Sequence, residues 1–282
     1  MKKFVEYLKY VLCGLIFGTA NVIPGVSGGT MLVIFGIFDR LTEAISGPKK
    51  IIKNLTFLIF FALGAGGGIL LSSKVISQLF ESFAIQTNMF FIGLILGGIP
   101  LIYRLGTEEK KPKPLCFVPF VIAMAVVIGL SVLERLDIFS FTAEKIEGFD
   151  MVFSLKMVAC AAIAALTMII PGISGSFVMM LLGVYETIIG ALTEFNFYVI
   201  IPFAIGAVIG IVAGAKLIST LIKKNKLMVY SALMGLVIGS VYAILPEGFG
   251  FNLQTGYGFV CLIFGVITSL LVEKLGRTGK EA

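Results

Sequence analysis

One six-residue motif occurs twice in this chain, each time inside a long apolar run: Pro24-Gly25-Val26-Ser27-Gly28-Gly29 and Pro171-Gly172-Ile173-Ser174-Gly175-Ser176. Proline removes a backbone donor and pushes the preceding residue out of the helical region, while clustered glycines open angles that other residues avoid. A helix must therefore break at Pro24-Gly25 and again at Pro171-Gly172. With 58% hydrophobic residues, 13% charged residues and a mean hydropathy of +1.06, the flanking runs read as parts of an integral membrane protein. Inside lipid, open backbone is tolerated only where protein buries it or where it lines a cavity. Both breaks are thus candidate binding sites.

The motif is the centre of a longer repeat. Residues 4–39 align without gaps on residues 151–186 at an offset of 147, pairing Lys9 with Lys156, Cys13 with Cys160, Ser27 with Ser174 and Gly36 with Gly183. The match resumes at an offset of 142, where Phe61-Ala62-Leu63-Gly64-Ala65 meets Phe203-Ala204-Ile205-Gly206-Ala207 and Lys74 meets Lys216. Two related halves follow, 1–140 and 150–282. The repeat also argues against a removable secretory signal at residues 1–20, since such a leader has no reason to recur mid-chain.

Apolar segments of membrane-crossing length fall at 4–22, 28–46, 54–73, 85–104 and 115–133, then at 151–169, 175–192, 197–216, 227–245 and 256–274. Lysines and arginines crowd 104–114, 216–226, Lys2-Lys3 and the tail with Lys274, Arg277 and Lys280, whereas 134–150 is acidic. The positive-inside bias puts the basic stretches and both termini in the cytoplasm and 134–150 outside. Lys49, Lys50 and Lys53 return the chain to the basic side after only two short segments, so 4–46 reads as a re-entrant hairpin with the first motif at its tip. Three crossings then end outside, and the second half runs in the opposite sense with its own hairpin, 151–192.

The expected fold is an all-α integral membrane protein, a polytopic helical bundle of two inverted-topology repeats. Each repeat has a re-entrant helical hairpin followed by three transmembrane helices: 54–73, 85–104 and 115–133, then 197–216, 227–245 and 256–274. Secondary transporters use this architecture, with the substrate near the midplane between discontinuous helices. Glycines four apart, at Gly14/Gly18, Gly64/Gly68, Gly206/Gly210/Gly214 and Gly235/Gly239, read as helix-packing contacts.

After each Pro-Gly turn, Ser27 or Ser174 is placed to cap a helix that starts with glycine. Such an end offers unpaired amides and partial positive charge, so the residues that follow, Gly28, Gly29 and Thr30 in the first half and Gly175 and Ser176 in the second, are candidate anion ligands. The glycines would equally permit a tight turn with no ligand. Lys74 and Lys216 lie near segment ends, where they suit interfacial anchoring or contact with an anionic headgroup. Asp39 and Glu186, matched at the far ends of the hairpins, are candidates to bind a coupling proton or sodium ion. Arg40 has no counterpart. Asn21 can bond the exposed turn, but its counterpart is Met168.

Gly25-Val26-Ser27-Gly28-Gly29 also fits the G-x-S-x-G nucleophile elbow. That chemistry needs a histidine to take the serine proton, and the chain has none. Cys13, Cys116, Cys160 and Cys261 all lie in apolar runs without metal spacing, so no metal or cofactor is expected. An enzyme is not expected either, and a net charge of +6 concentrated between spans argues against a nucleic-acid partner.

The segment Asn21 to Thr30, together with Ile170 to Ser176, resembles the polyprenyl-phosphate transporter family of bacteria and archaea, which includes the PopT-type undecaprenyl-phosphate translocases. The likeness extends over essentially the whole chain. It implies a bacterial or archaeal cytoplasmic-membrane protein that returns undecaprenyl phosphate from the outer to the inner leaflet, so that the lipid carrier is reused in cell-envelope synthesis. It also implies a phosphate cradle of Ser27, Gly28, Gly29 and Thr30 with Ser174, Gly175 and Ser176, although Phe177 stands in the second copy where the first has Thr30. The residues alone leave open a transporter or channel for a small inorganic or organic anion.

Overall fold

The computed structural model describes residues 2–22, 28–108, 114–136, 150–173, 175–245 and 253–281, and every regular element among them is helical. The order is α1 (Lys2–Val22), α2 (Gly28–Ile34), α3 (Phe38–Ala44), α4 (Pro48–Lys53), α5 (Leu55–Thr107), α6 (Phe117–Arg135), α7 (Met151–Met168), α8 (Gly175–Leu181), α9 (Tyr185–Thr193), α10 (Phe197–Ala243) and α11 (Leu253–Glu281). Six stretches are long and apolar enough to cross a bilayer: Leu55–Ile76, Gln78–Thr107, Pro114–Leu133, Met151–Met168, Phe197–Ala243 and Leu253–Leu271. The chain is a multi-pass membrane protein.

Helix ends follow local chemistry where the sequence supplies caps. Asp150 accepts hydrogen bonds from the amides of Val152 and Phe153 and so starts α7, and Asn196 accepts one from Tyr198 and starts α10. Proline at the first position of α4 removes an amide that would have had no partner.

The structure departs from the expected segments in two added breaks and in two expected loops that are helical. The arm 28–46 is divided between α2 and α3, and 175–192 between α8 and α9. At the joints Gly36 and Gly183 take positive φ of 68° and 70°, a conformation that costs a side-chain-bearing residue about 1–2 kcal/mol. The α8–α9 pair is bent by 113°. In addition, the expected spans 54–73 and 85–104 are limbs of one long helix, α5, interrupted only at Phe83 (φ −142°, ψ 47°). The basic stretch 216–226, read from sequence as a loop, is helical within α10 apart from Asn225 (φ −155°, ψ 79°). Lysine and asparagine are polar enough to suggest a loop, yet they tolerate a helix, and one off-helix residue is sufficient to turn the chain.

Helices approach to backbone contact at glycines. A Cβ placed on Gly64 would lie 2.1 Å from the carbonyl oxygen of Val11, and one on Gly206 2.2 Å from that of Val158. Gly68 meets Leu15 and Gly210 meets Ala162 in the same way, so α1 sits on α5 as α7 sits on α10. The late limbs exchange partners: Gly93 of α5 abuts Leu262 of α11, and Gly235 of α10 abuts Phe120 of α6. Each of these contacts recurs at its counterpart 142 or 147 residues on, including the breaks at Phe83 and Asn225. Small residues let helices pack by dispersion where lipid offers no hydrophobic drive.

Most of the buried side chains form one cluster that runs from Tyr10 through Met31, Ile34 and Phe38 to Leu233 and Ile244. A smaller one gathers Phe153, Met157, Val184, Ile188 and Val199 around the second hairpin. Replacing Gly64 or Gly206 with valine forces a helix pair apart and is expected to destabilise the protein by about 1–3 kcal/mol. Gly66→Ala, where nothing lies within 4 Å of the added carbon, is expected to leave the thermal unfolding midpoint in detergent unchanged, and the two midpoints measured side by side check this.

Candidate functional site

The first motif joins the end of α1 to the start of α2. Pro24, Gly25 and Ser27, and Ser174 of the second copy, lie outside the described residues. Gly28, Gly29 and Thr30 form the first turn of α2 and are all buried, and Thr30 is fully so, its Oγ1 having no hydrogen-bond partner among the described residues. A buried hydroxyl without a partner costs about 1–3 kcal/mol, so it stands out at the start of α2. Asn21 donates its side-chain amide to the Phe17 carbonyl of its own helix at 2.8 Å rather than to the turn. That amide also closes over Gly28, where a Cβ would lie 2.3 Å from it.

The second motif is built alike but presents different groups. Pro171 is buried, Gly172 has φ of 82° and would place a Cβ 2.9 Å from the Leu236 carbonyl oxygen, and α8 begins at Gly175. Met168 packs on Gly175 where Asn21 packs on Gly28, so this turn carries a thioether in place of an amide. Ser176 is exposed and Phe177 is buried.

The charged candidates separate into two groups. Asp39 and Arg40 are both engaged, on opposite sides of α3. Asp39 is half-buried and shares a hydrogen bond with the Tyr230 hydroxyl of α10, while its Oδ1 is buried without a partner. Arg40 donates to the Tyr10 hydroxyl and lies over the rings of Tyr10 and Phe57, 4.6 and 4.7 Å from their centroids. Tyr10 in turn donates to Glu6. By contrast, Lys74, Lys216 and Glu186 are exposed on the helix surfaces.

A cluster the sequence did not flag surrounds Asp39. Lys223 bonds Glu43 of α3 at 2.7 Å, Lys50 reaches the same carboxylate at 3.4 Å, and Lys226 bonds Glu108 beyond α5 at 2.8 Å. The Lys223 hydrogen bond holds the Glu43 carboxyl below the usual carboxylate range. Lys223 and Lys226, on either side of the break at Asn225, tie α3 and the end of α5 to α10, and Lys50 ties α4 to α3. At the positions 142 and 147 residues away the chain has Glu81, Ala84, Asn88, Glu186 and Gly190, which cannot form the same pairs. The sequence signal was the basic run itself, read as a solvated loop because nothing local shows its acidic partners.

A multi-pass helical protein with paired helix breaks and few intramembrane charges belongs, as a class, with membrane transporters. The family model described as undecaprenyl phosphate translocase-like matches residues 17–254, and the chain belongs to that family. Among similar proteins, a polyprenyl-phosphate transporter of Vibrio cholerae is 32% identical over 86% of this chain and 79% of its own length. One of Staphylococcus aureus with the same name is 28% identical over 96% of both chains. A more distant protein of Flavobacterium psychrophilum, named undecaprenyl-diphosphatase, is 23% identical over 95% of this chain and 96% of its own. No solved structure matches the chain.

The left-handed joint is a property of the site that can be tested directly. Gly36→Ala is expected to destabilise the protein by about 1–2 kcal/mol through backbone strain alone, since a Cβ there meets only Leu101 at 3.6 Å and Leu105 at 4.0 Å. Thermal unfolding of the variant beside wild type reads the loss.

Proposed function

We propose that the protein carries undecaprenyl phosphate or a related polyprenyl phosphate across the cytoplasmic membrane, from the outer to the inner leaflet, for reuse in cell-envelope synthesis. The observation that carries this reading is the start of α2 in a chain of this family: a buried turn of Gly28, Gly29 and Thr30 with an unpartnered hydroxyl. Phosphate oxygens are strong acceptors suited to the free amides of a helix start and to a hydroxyl donor. Ser27, Gly28, Gly29 and Thr30 are the principal phosphate contacts in this reading. Gly175 and Ser176, with Ser174, supply a weaker second cradle because Met168 and Phe177 replace Asn21 and Thr30.

The halves 1–140 and 150–282 are inverted repeats in this scheme, and 4–46 and 151–192 are re-entrant hairpins entering from opposite faces. Both termini and the cluster around Glu43 lie on the cytoplasmic side, in keeping with its lysines. The ion pairs from α3 and the end of α5 to α10 close that side, while the counterpart positions leave the outer side free to open, so that the site alternates in access. Asp39, the half-buried carboxylate of the hairpin, is the candidate for a coupling proton or sodium ion, and Glu186 is a weaker one.

Purified protein in liposomes carrying undecaprenyl phosphate on one leaflet is expected to speed its exchange, with no released inorganic phosphate. Gly28→Trp, which must displace Asn21, is expected to abolish both binding and exchange without preventing insertion. Exchange that survives Gly28→Trp removes α2 from the site. Phosphate release from undecaprenyl diphosphate would make the protein a hydrolase, and displacement of the lipid by millimolar inorganic phosphate would make it a small-anion carrier.

A further inference from the structure

Beside the first motif lies an apolar cavity of about 640 Å³, within the roughly 300–1,000 Å³ range of small-ligand sites. Its walls come from α1 and α2, which the motif joins, from both limbs of α5 around the break at Phe83, and from α11. Four phenylalanines besides Phe83 face it: Phe35, Phe90, Phe91 and Phe264. Its polar groups are confined to Thr19, Gln86 and Thr87. The Thr87 hydroxyl donates to the Leu79 carbonyl oxygen, which leaves Thr19 and Gln86 without a side-chain hydrogen bond among the described residues.

The geometry points to this cavity as the binding site for the prenyl tail of the phosphate substrate, an inference that rests on the function proposed above. A phosphate held at Gly28 to Thr30 attaches its chain at the junction of α1 and α2, and this is the apolar space those two helices border. An open cavity with apolar walls accepts hydrocarbon, and each buried methylene contributes about 0.8 kcal/mol. Aromatic faces suit a chain of methyl branches and double bonds. Thr19 lies in the last turn of α1 and Gln86 just past the α5 break, so the two polar groups fall where the chain meets its ester oxygen.

The site belongs to one half of the molecule. At the positions 142 or 147 residues on, Thr19, Phe83, Gln86 and Phe90 are replaced by Leu166, Asn225, Met228 and Ala232. The second half thus lacks both the aromatic walls and the polar end, and the tail stays with the first hairpin while the headgroup changes sides.

The test fills the cavity without touching the motif. Leu79→Trp and Cys261→Trp, both on its lining, are compared with wild type and with Ile205→Trp on an exposed helix face as control. Native mass spectrometry measures binding of undecaprenyl phosphate and of isopentenyl phosphate, whose chain is a single isoprene unit. Wild type and the control are expected to prefer the long lipid by about tenfold or more, and both fillers to lose that preference while holding isopentenyl phosphate as before. Fillers that bind both lipids like wild type overturn the tail site and leave the phosphate reading intact. Equal loss of both lipids also overturns it, since the cavity would then be serving the headgroup or the fold. Release of a co-purified phospholipid alone, with prenyl phosphate unaffected, assigns the cavity to a structural lipid and overturns the proposal. If wild type binds neither prenyl phosphate, the function itself is wrong and the tail site falls with it.

Discussion

The structure depends on one constraint: backbone that leaves helical geometry in or near lipid must be covered by protein. Among the described residues, this chain leaves it at Gly172 of the second motif, at Gly36 and Gly183, and at Phe83 and Asn225. Covering so many breaks needs neighbours close enough to exclude lipid, and glycine supplies them. The contacts of Gly64 on Val11 and Gly206 on Val158, at backbone distance, hold each hairpin against the long helix that follows it. Those of Gly93 and Gly235 bring in the last helix of the other half. The glycine spacing and the helix breaks therefore have a common cause, because a helix that breaks must be packed more tightly than one that does not.

That constraint also explains where polarity is allowed. One group of ion pairs gathers around α3 and the α10 break, where Glu43, Glu108, Lys50, Lys223 and Lys226 satisfy one another. The exposed pairs contribute little to stability individually. Their effect is on which surfaces stay together, since Lys223 and Lys226 join α3 and the end of α5 to α10 and Lys50 joins α4 to α3. Arg40 is different in kind: its guanidinium is taken up by two aromatic faces and a tyrosine hydroxyl, and this pins α3 back onto α1 and α5. Neighbouring residues Asp39 and Arg40 thus pull one short helix toward two different partners.

Much of this was legible in the sequence. Segment positions followed from apolar run length, and α2 and α8 begin at Gly28 and Gly175, where those apolar segments were expected to start. The pairing of Gly36 with Gly183 was visible as well, but not its meaning, since a conserved spacing of glycines does not say which one adopts positive φ. The continuous helix through 216–226 was missed for a related reason. Charge reads as loop when no partner is in view, and the partners of Lys223 and Lys226 are 180 and 118 residues away in the chain. Neither could the cavity be read, for its walls come from four helices whose apolar residues look like any other lipid-facing stripe.

Asymmetry between the halves is what a lipid substrate would ask of an otherwise duplicated fold. A small anion has no orientation to preserve, and two equivalent motifs would serve it equally well. A phosphate with a long hydrocarbon tail can pass its headgroup from one face to the other only if the tail stays in apolar surroundings throughout. The replacements between halves run in that direction: Asn21 and Thr30 become Met168 and Phe177, and the phenylalanine at the α5 break becomes Asn225 beside a run of lysines. In the proposed transport, the first half holds the headgroup and its chain and the second forms the moving wall. The tail's demand for continuous apolar cover and the backbone's demand for burial are met by the same packed helices.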